Sequence, residues 1–131
     1  MLAGMTTHLE APFVIDRWEG AAIDSVDEGP ELGQAVLAKT YGGPELTATA
    51  TGHAVTTRGE RGASYVAQER ITGVLDGRTG SFVLEHRASM GEGFPTVIEA
   101  QVVPGSGTGE LSELSGRGMV EHQLLVLDYD V

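Results

Sequence analysis

The side chains best suited to acid–base chemistry in this sequence are Glu69 and His86. Glu69 stands in the alternation Tyr65, Ala67, Glu69, Ile71, set against Val66, Gln68, Arg70, Thr72. Alternate side chains of a strand point to opposite faces, and the first set is the more apolar, so Glu69 is expected to point inward. A buried carboxylate must be paired, hydrogen-bonded or protonated; paired it is structural, and protonated it is an acid. Arg17 and Arg87 are partners that the composition offers. His86 follows Phe82 and Leu84 on one face of a second alternating segment. An inward imidazole there could give or take a proton near neutral pH. It could equally be a hydrogen-bonded core or rim residue, because one histidine defines no mechanism. His8, His53, His86 and His122 fall on four different segments, and the chain has no cysteine. No metal site, disulfide or thiol nucleophile is therefore expected.

The aromatic residues are few, at 5% of the chain. Trp18, Tyr41 and Tyr65 would line a ligand pocket if they reached one mouth of a barrel, with Phe82 and Leu84 contributing apolar wall; aromatics also fill cores that hold no ligand. The run Gly105-Ser106-Gly107-Thr108-Gly109 has no helix signal after it and no Gly-Lys-Ser/Thr ending. It reads as a tight turn and bend rather than a phosphate cradle. Glu110, beside it, is expected to tie that turn.

The elements that must position these groups are strands. Period-two alternation recurs at Leu46–Thr57, Ala63–Leu75, Gly80–Ala88 and Thr96–Val103. No stretch carries a clean helical stripe. Turn signals at Asp27–Pro30, Tyr41–Pro44, Arg58–Gly62, Asp76–Gly80, Gly91–Gly93, Pro104–Gly107 and Gly116–Gly118 cut the chain at regular spacing. Asp76-Gly77 between apolar strands is the strongest hairpin signal. Eight strands follow, with Phe13–Glu19, Gly33–Tyr41, Gly107–Leu114 and Met119–Asp130 completing the set. Leu46, Ala48 and Ala50 suit a crowded interior, and Thr47, Thr49, Thr51 and His53 the other face. Short connections imply antiparallel pairing, and eight strands can close into a barrel or divide into a sandwich. The absence of a long Greek-key connection favours the barrel.

The 131 residues carry 19 acidic and 8 basic side chains, a formal net charge of -11. A surface so acidic excludes general phosphate binding, so neither nucleic acid nor an anionic membrane is an expected partner. No apolar run is long enough to span a bilayer, and Met1–Glu10 has no signal-peptide pattern. The expected location is cytoplasmic. Residues 1–10 are expected to fray, and 11–131 to form one domain.

Three stretches together carry a resemblance: Gly73–His86, containing Gly77-Arg78-Thr79-Gly80-Ser81-Phe82; Val102–Leu111, containing Ser106-Gly107-Thr108-Gly109-Glu110-Leu111; and Leu127-Asp128-Tyr129. With Trp18 and Tyr41-Gly42-Gly43, the chain from Phe13 to Tyr129 resembles the bacterial domain-of-unknown-function 3224 family. That family is similar in fold to the allene oxide cyclase barrels, whose Gly-Thr-Gly hairpin the run at 107–111 resembles. The resemblance implies an all-β fold, a single eight-stranded antiparallel barrel with an axial cavity, and no cofactor. It also implies a small hydrophobic molecule as partner and, from the wider group, a homo-oligomer. Glu-Leu-Ser-Glu-Leu follows here where the plant enzymes have an aromatic and small residues, so cyclase activity does not transfer with the match. Two functions stay open: a barrel that binds an apolar or amphipathic ligand, or a cofactor-free cyclase or isomerase acting on a polyketide- or lipid-like substrate. In the second, Glu69 or His86 would move the proton.

Overall fold

Eight antiparallel strands form a closed ring in chain order, each hydrogen-bonded to the next and β8 returning to β1. The computed structural model describes residues 6–131. The strands are β1 (Thr7–Asp24), β2 (Glu31–Gly42), β3 (Leu46–Arg58), β4 (Gly62–Leu75), β5 (Arg78–Gly91), β6 (Phe94–Val102), β7 (Ser115–Glu121) and β8 (Leu124–Asp130). The alternations translate directly into an inner face. Leu46, Ala48 and Ala50 are buried on β3, and Thr47, Thr49, Thr51 and His53 are exposed. Asp76 and Gly77 join β4 to β5 with φ values of 46° and 79°, as an Asp-Gly hairpin turn requires.

Three expectations need correction. Gly107–Leu114 is not a strand; it crosses the end of the barrel and holds one short 3-10 turn, Gly109–Leu111. Leu111 and Leu114 point from it into the core and plug that end. Met119–Asp130 is two strands, not one, reversed at His122-Gln123. Both residues have positive φ, 53° and 59°. Neither His nor Gln signals such a turn, which Asn-Gly ordinarily makes. Gly116-Arg117-Gly118 lies inside β7 and separates nothing. At the other end, the segment expected to fray lies partly outside the described residues. Thr7–Glu10 are strand, paired with Tyr129–Val126 of β8.

The ring is uneven in height. β8 covers β1 only from Thr7 to Pro12, while the rest of β1 pairs with β2 alone. β7 meets β6 at only two residue pairs, Ala100–Gly118 and Gln101–Arg117. The half bearing the β2–β3 and β4–β5 turns is closed, with the segment after β6 rather than β6 itself bonded to Ser81 and Val83 of β5, and the opposite half has a slot between β1 and β6. Residue size follows the same division in part, since Ala11, Ala48, Ala50 and Ala100 also lie in the closed half and Leu37 in the open one. The closed half is filled by large side chains such as Tyr41, Ile71, Phe82, Leu84, Leu125 and Leu127. The open half has Ala35, Ala54, Ala67 and Ala88 on its buried inner wall, which leaves space along the axis. Among the described residues no helix is long and apolar enough to cross a membrane.

Candidate functional site

Four polar side chains meet inside the wall at the boundary between the two halves. Glu69 is 1% exposed on β4. Its Oε2 accepts hydrogen bonds from Lys39 Nζ and His86 Nε2, both at 2.7 Å. Its Oε1 accepts from the Tyr41 hydroxyl, also at 2.7 Å. The buried carboxylate is therefore paired, but with neither arginine the composition offered. Arg17 pairs with Glu19 and Arg87 with Glu99, both on the outside. The partner is Lys39, the sole lysine of the chain. Its signal was present in β2, where Gly33, Ala35, Leu37, Lys39 and Tyr41 share one face by period two. A charged residue in that apolar row marked an interior charge.

The chain of hydrogen bonds continues outward. The Tyr65 hydroxyl lies 2.8 Å from His86 Nδ1. Because the Glu69 carboxylate can only accept, His86 Nε2 carries a hydrogen, and in the neutral imidazole Nδ1 accepts from the Tyr65 hydroxyl. Tyr65, His86 and Glu69 thus form a directed relay, with Lys39 and Tyr41 holding its inner end. Lys39 also sits over the Phe13 ring, 4.1 Å from its centre, a favourable place for a desolvated cation. No buried side-chain nitrogen or oxygen lacks a partner among the described residues.

Electrostatics follow from this geometry. Burial pushes the Glu69 carboxyl up, but the hydrogen bond from His86 and the charge and hydrogen bond of Lys39 outweigh it, so the group lies below its ordinary 4.5. Burial, then the Glu69 charge, pushes the Tyr65 phenol up to about 12. The same causes push Tyr41 higher still.

Directly above the relay, in the open half, is a cavity of about 240 Å³. Lys39, Tyr65 and His86 form its polar floor, and Phe13, Leu37 and Ala67 its inner wall. Ile15 and Trp18 of β1 and the β7–β8 turn make the rim. Trp18 reaches this place through a β-bulge. The register shifts between Ile15 and Arg17, so Ile15 faces Lys39 and Trp18 faces Leu37 on the same inner side. Counted by two from Ile15 with Asp16 in regular register, Trp18 would point outward; the bulge takes up Asp16 and so keeps Trp18 on the inner side.

Of the residues expected from sequence to act on a ligand, the structure gathers Trp18, Tyr65 and His86 at the cavity. Glu69 and Tyr41 lie just beneath it, facing each other rather than the open space. Phe82 and Leu84 pack in the closed half and do not line the cavity. Glu110 accepts a hydrogen bond from Thr79 N at 3.0 Å and so ties the 3-10 turn to β5. Phe13, Leu37 and Lys39 also line the cavity and were not among the residues expected from sequence.

The sequence profile of a family described as "Protein of unknown function (DUF3224)" matches residues 9–125. The chain belongs to this family. A crystal structure of a DUF3224 protein of unknown function from Shewanella oneidensis MR-1 superposes with a TM-score of 0.79. It is 32% identical, and the alignment covers 95% of this chain and 94% of that one. No match is found among curated proteins.

Proposed function

We propose that this DUF3224 protein binds a small amphipathic molecule in the cavity of its open half. The apolar body would lie against Phe13, Leu37 and Trp18, and the polar end against Lys39, Tyr65 and His86. The observation that carries this reading is the polar cluster itself. Burying a lysine, a glutamate and a histidine costs several kcal/mol of desolvation, and well-packed apolar residues of similar volume are often more stabilising. On the open-half side the next inner residues after Glu69 and His86 are Ala67 and Ala88, so the wall is pared back there. Ligand sites usually combine an apolar lining with a few converging polar groups, in volumes of roughly 300–1,000 Å³. The present cavity is just below that range, which selects a compact ligand.

A second reading, a cofactor-free isomerase or cyclase, is favoured by the Tyr65–His86–Glu69 relay, because such a chain can move a proton to or from a bound molecule. Native mass spectrometry of freshly purified protein tests the binding reading, followed by titration of compact amphipathic probes observed by ligand NMR. A reproducible extra mass per subunit that is lost on denaturation, or saturable probe binding abolished by Ala67→Phe, is the expected result. A bare subunit mass together with no saturable binding overturns it. Turnover that Tyr65→Phe removes while binding persists would favour the enzyme.

A further inference from the structure

The floor of the cavity has an unspent donor capacity, and its charge balance says what would use it. An ammonium group has three N–H donors. Lys39 gives one to Glu69, lies against the Phe13 ring, and is one of the side chains that line the cavity. The Tyr65 hydroxyl has one hydrogen, committed to His86 Nδ1 while the imidazole is neutral. If Nδ1 takes a proton from solvent, both ring nitrogens become donors, to Glu69 and to the Tyr65 oxygen. The phenolic hydrogen is then free to turn into the cavity. The floor would then present two donors, Lys39 N–H and Tyr65 O–H, which match the two oxygens of a carboxylate.

The charges agree. While the His86 imidazole is neutral, Lys39 and Glu69 cancel. A carboxylate added there alone would leave one uncompensated buried charge, and a proton on His86 restores neutrality. The groups facing His86 are Glu69 and Tyr65 from β4 and, through Glu69, Lys39 and Tyr41 from β2. Glu121 and His122 stand at the rim on the β7–β8 turn. On the outer side of the wall Arg87 and Glu99 neutralise one another, with Glu85 and Arg117 beside them. We propose that the ligand's polar end is a carboxylate, and that a compact monocarboxylic acid binds together with one proton taken up at His86. This rests on the cavity being a binding site, as above.

Isothermal titration calorimetry with phenylacetate and octanoate, against phenylethanol and octanol, separates the two claims. Each probe is titrated in buffers of different ionisation enthalpy. Both carboxylates should bind with uptake of about one proton, and their affinity should fall about tenfold per pH unit as pH rises through the range of full uptake. The alcohols should bind at least about tenfold more weakly, with no uptake. His86→Gln should abolish the uptake. Tyr65→Phe, which leaves the Glu69 cluster intact, should weaken the carboxylates roughly tenfold and keep the uptake. Carboxylate binding without proton uptake, or alcohols binding as tightly, overturns the proposal and leaves the cavity as a binding site. Failure of all four probes overturns both.

Discussion

Lys39 Nζ and Glu69 Oε2 lie 2.7 Å apart although their strands are not neighbours. Strand β3 runs between them, and the residue it places opposite Glu69 on one side and Leu37 on the other is Gly52. The backbone itself is close there: an added Cβ would run into the Gln68 carbonyl oxygen and lie 2.7 Å from Glu69 Cα. Gly52→Ala should therefore destabilise the protein by about 2–3 kcal/mol, since backbone cannot move aside as a flexible side chain can. Urea denaturation with an unchanged slope would check this.

The ion pair should behave as a unit. Glu69→Leu leaves a buried ammonium without its counter-charge, and Lys39→Met leaves a buried carboxylate; each should cost about 3–5 kcal/mol. The double variant Lys39→Met/Glu69→Leu removes both charges and should recover most of the loss. A double-mutant cycle by chemical denaturation measures the coupling. Additive losses would mean that the two charges do not depend on each other.

Acid should find the same pair. Glu69 has a folded-state value depressed below its ordinary 4.5. In the unfolded chain it binds protons more readily than in the fold, so its contribution is fully present above about pH 4.5 and is lost as pH falls through the lower folded value. The wild type should therefore lose stability between pH 5 and pH 3 more steeply than the Lys39→Met/Glu69→Leu variant. Melting temperatures across that range, taken for both proteins in one buffer series, give the comparison.

The β7–β8 turn should accept a better sequence. His122 and Gln123 both sit at positive φ, 53° and 59°, where ordinary side chains cost about 1–2 kcal/mol each. His122→Asn/Gln123→Gly supplies the residues this two-residue turn favours and should stabilise by about 1 kcal/mol. The backbone bond from Phe13 N to Gln123 O, 3.0 Å, does not depend on either side chain. Thermal unfolding reads the effect, and a lower midpoint would contradict it.

Much of this architecture was legible from alternation alone. The inward aim of Glu69 and His86 follows from counting by two along β4 and β5, and the same count along β2 holds Lys39. What alternation cannot supply is the relation between strands. Lys39 and Glu69 meet because of the register across Gly52, which is set by pairing and not by either strand's own pattern. Trp18 reaches the cavity through one inserted residue, and a bulge has no compositional mark as plain as Asp-Gly. The His122-Gln123 reversal was invisible for the related reason that the hairpin imposes its geometry on residues that do not prefer it. The segment 107–114 read as strand because glycine-rich runs suit a bend or a crossing equally well.

Closing the ring joins the parts of the chain most distant in sequence, since Thr7 faces Tyr129 and Ala11 faces Leu125. Every other seam joins strands adjacent in sequence. The loop entropy lost at the β1–β8 seam is therefore the largest, and its pairing is rewarded only after the intervening strands are aligned. Until then β1 and β8 are two free edges, each able to pair with the corresponding edge of another molecule. Substitutions that weaken β8 should accordingly show themselves as exchanged strands and concentration-dependent assembly before they show themselves as lost secondary structure.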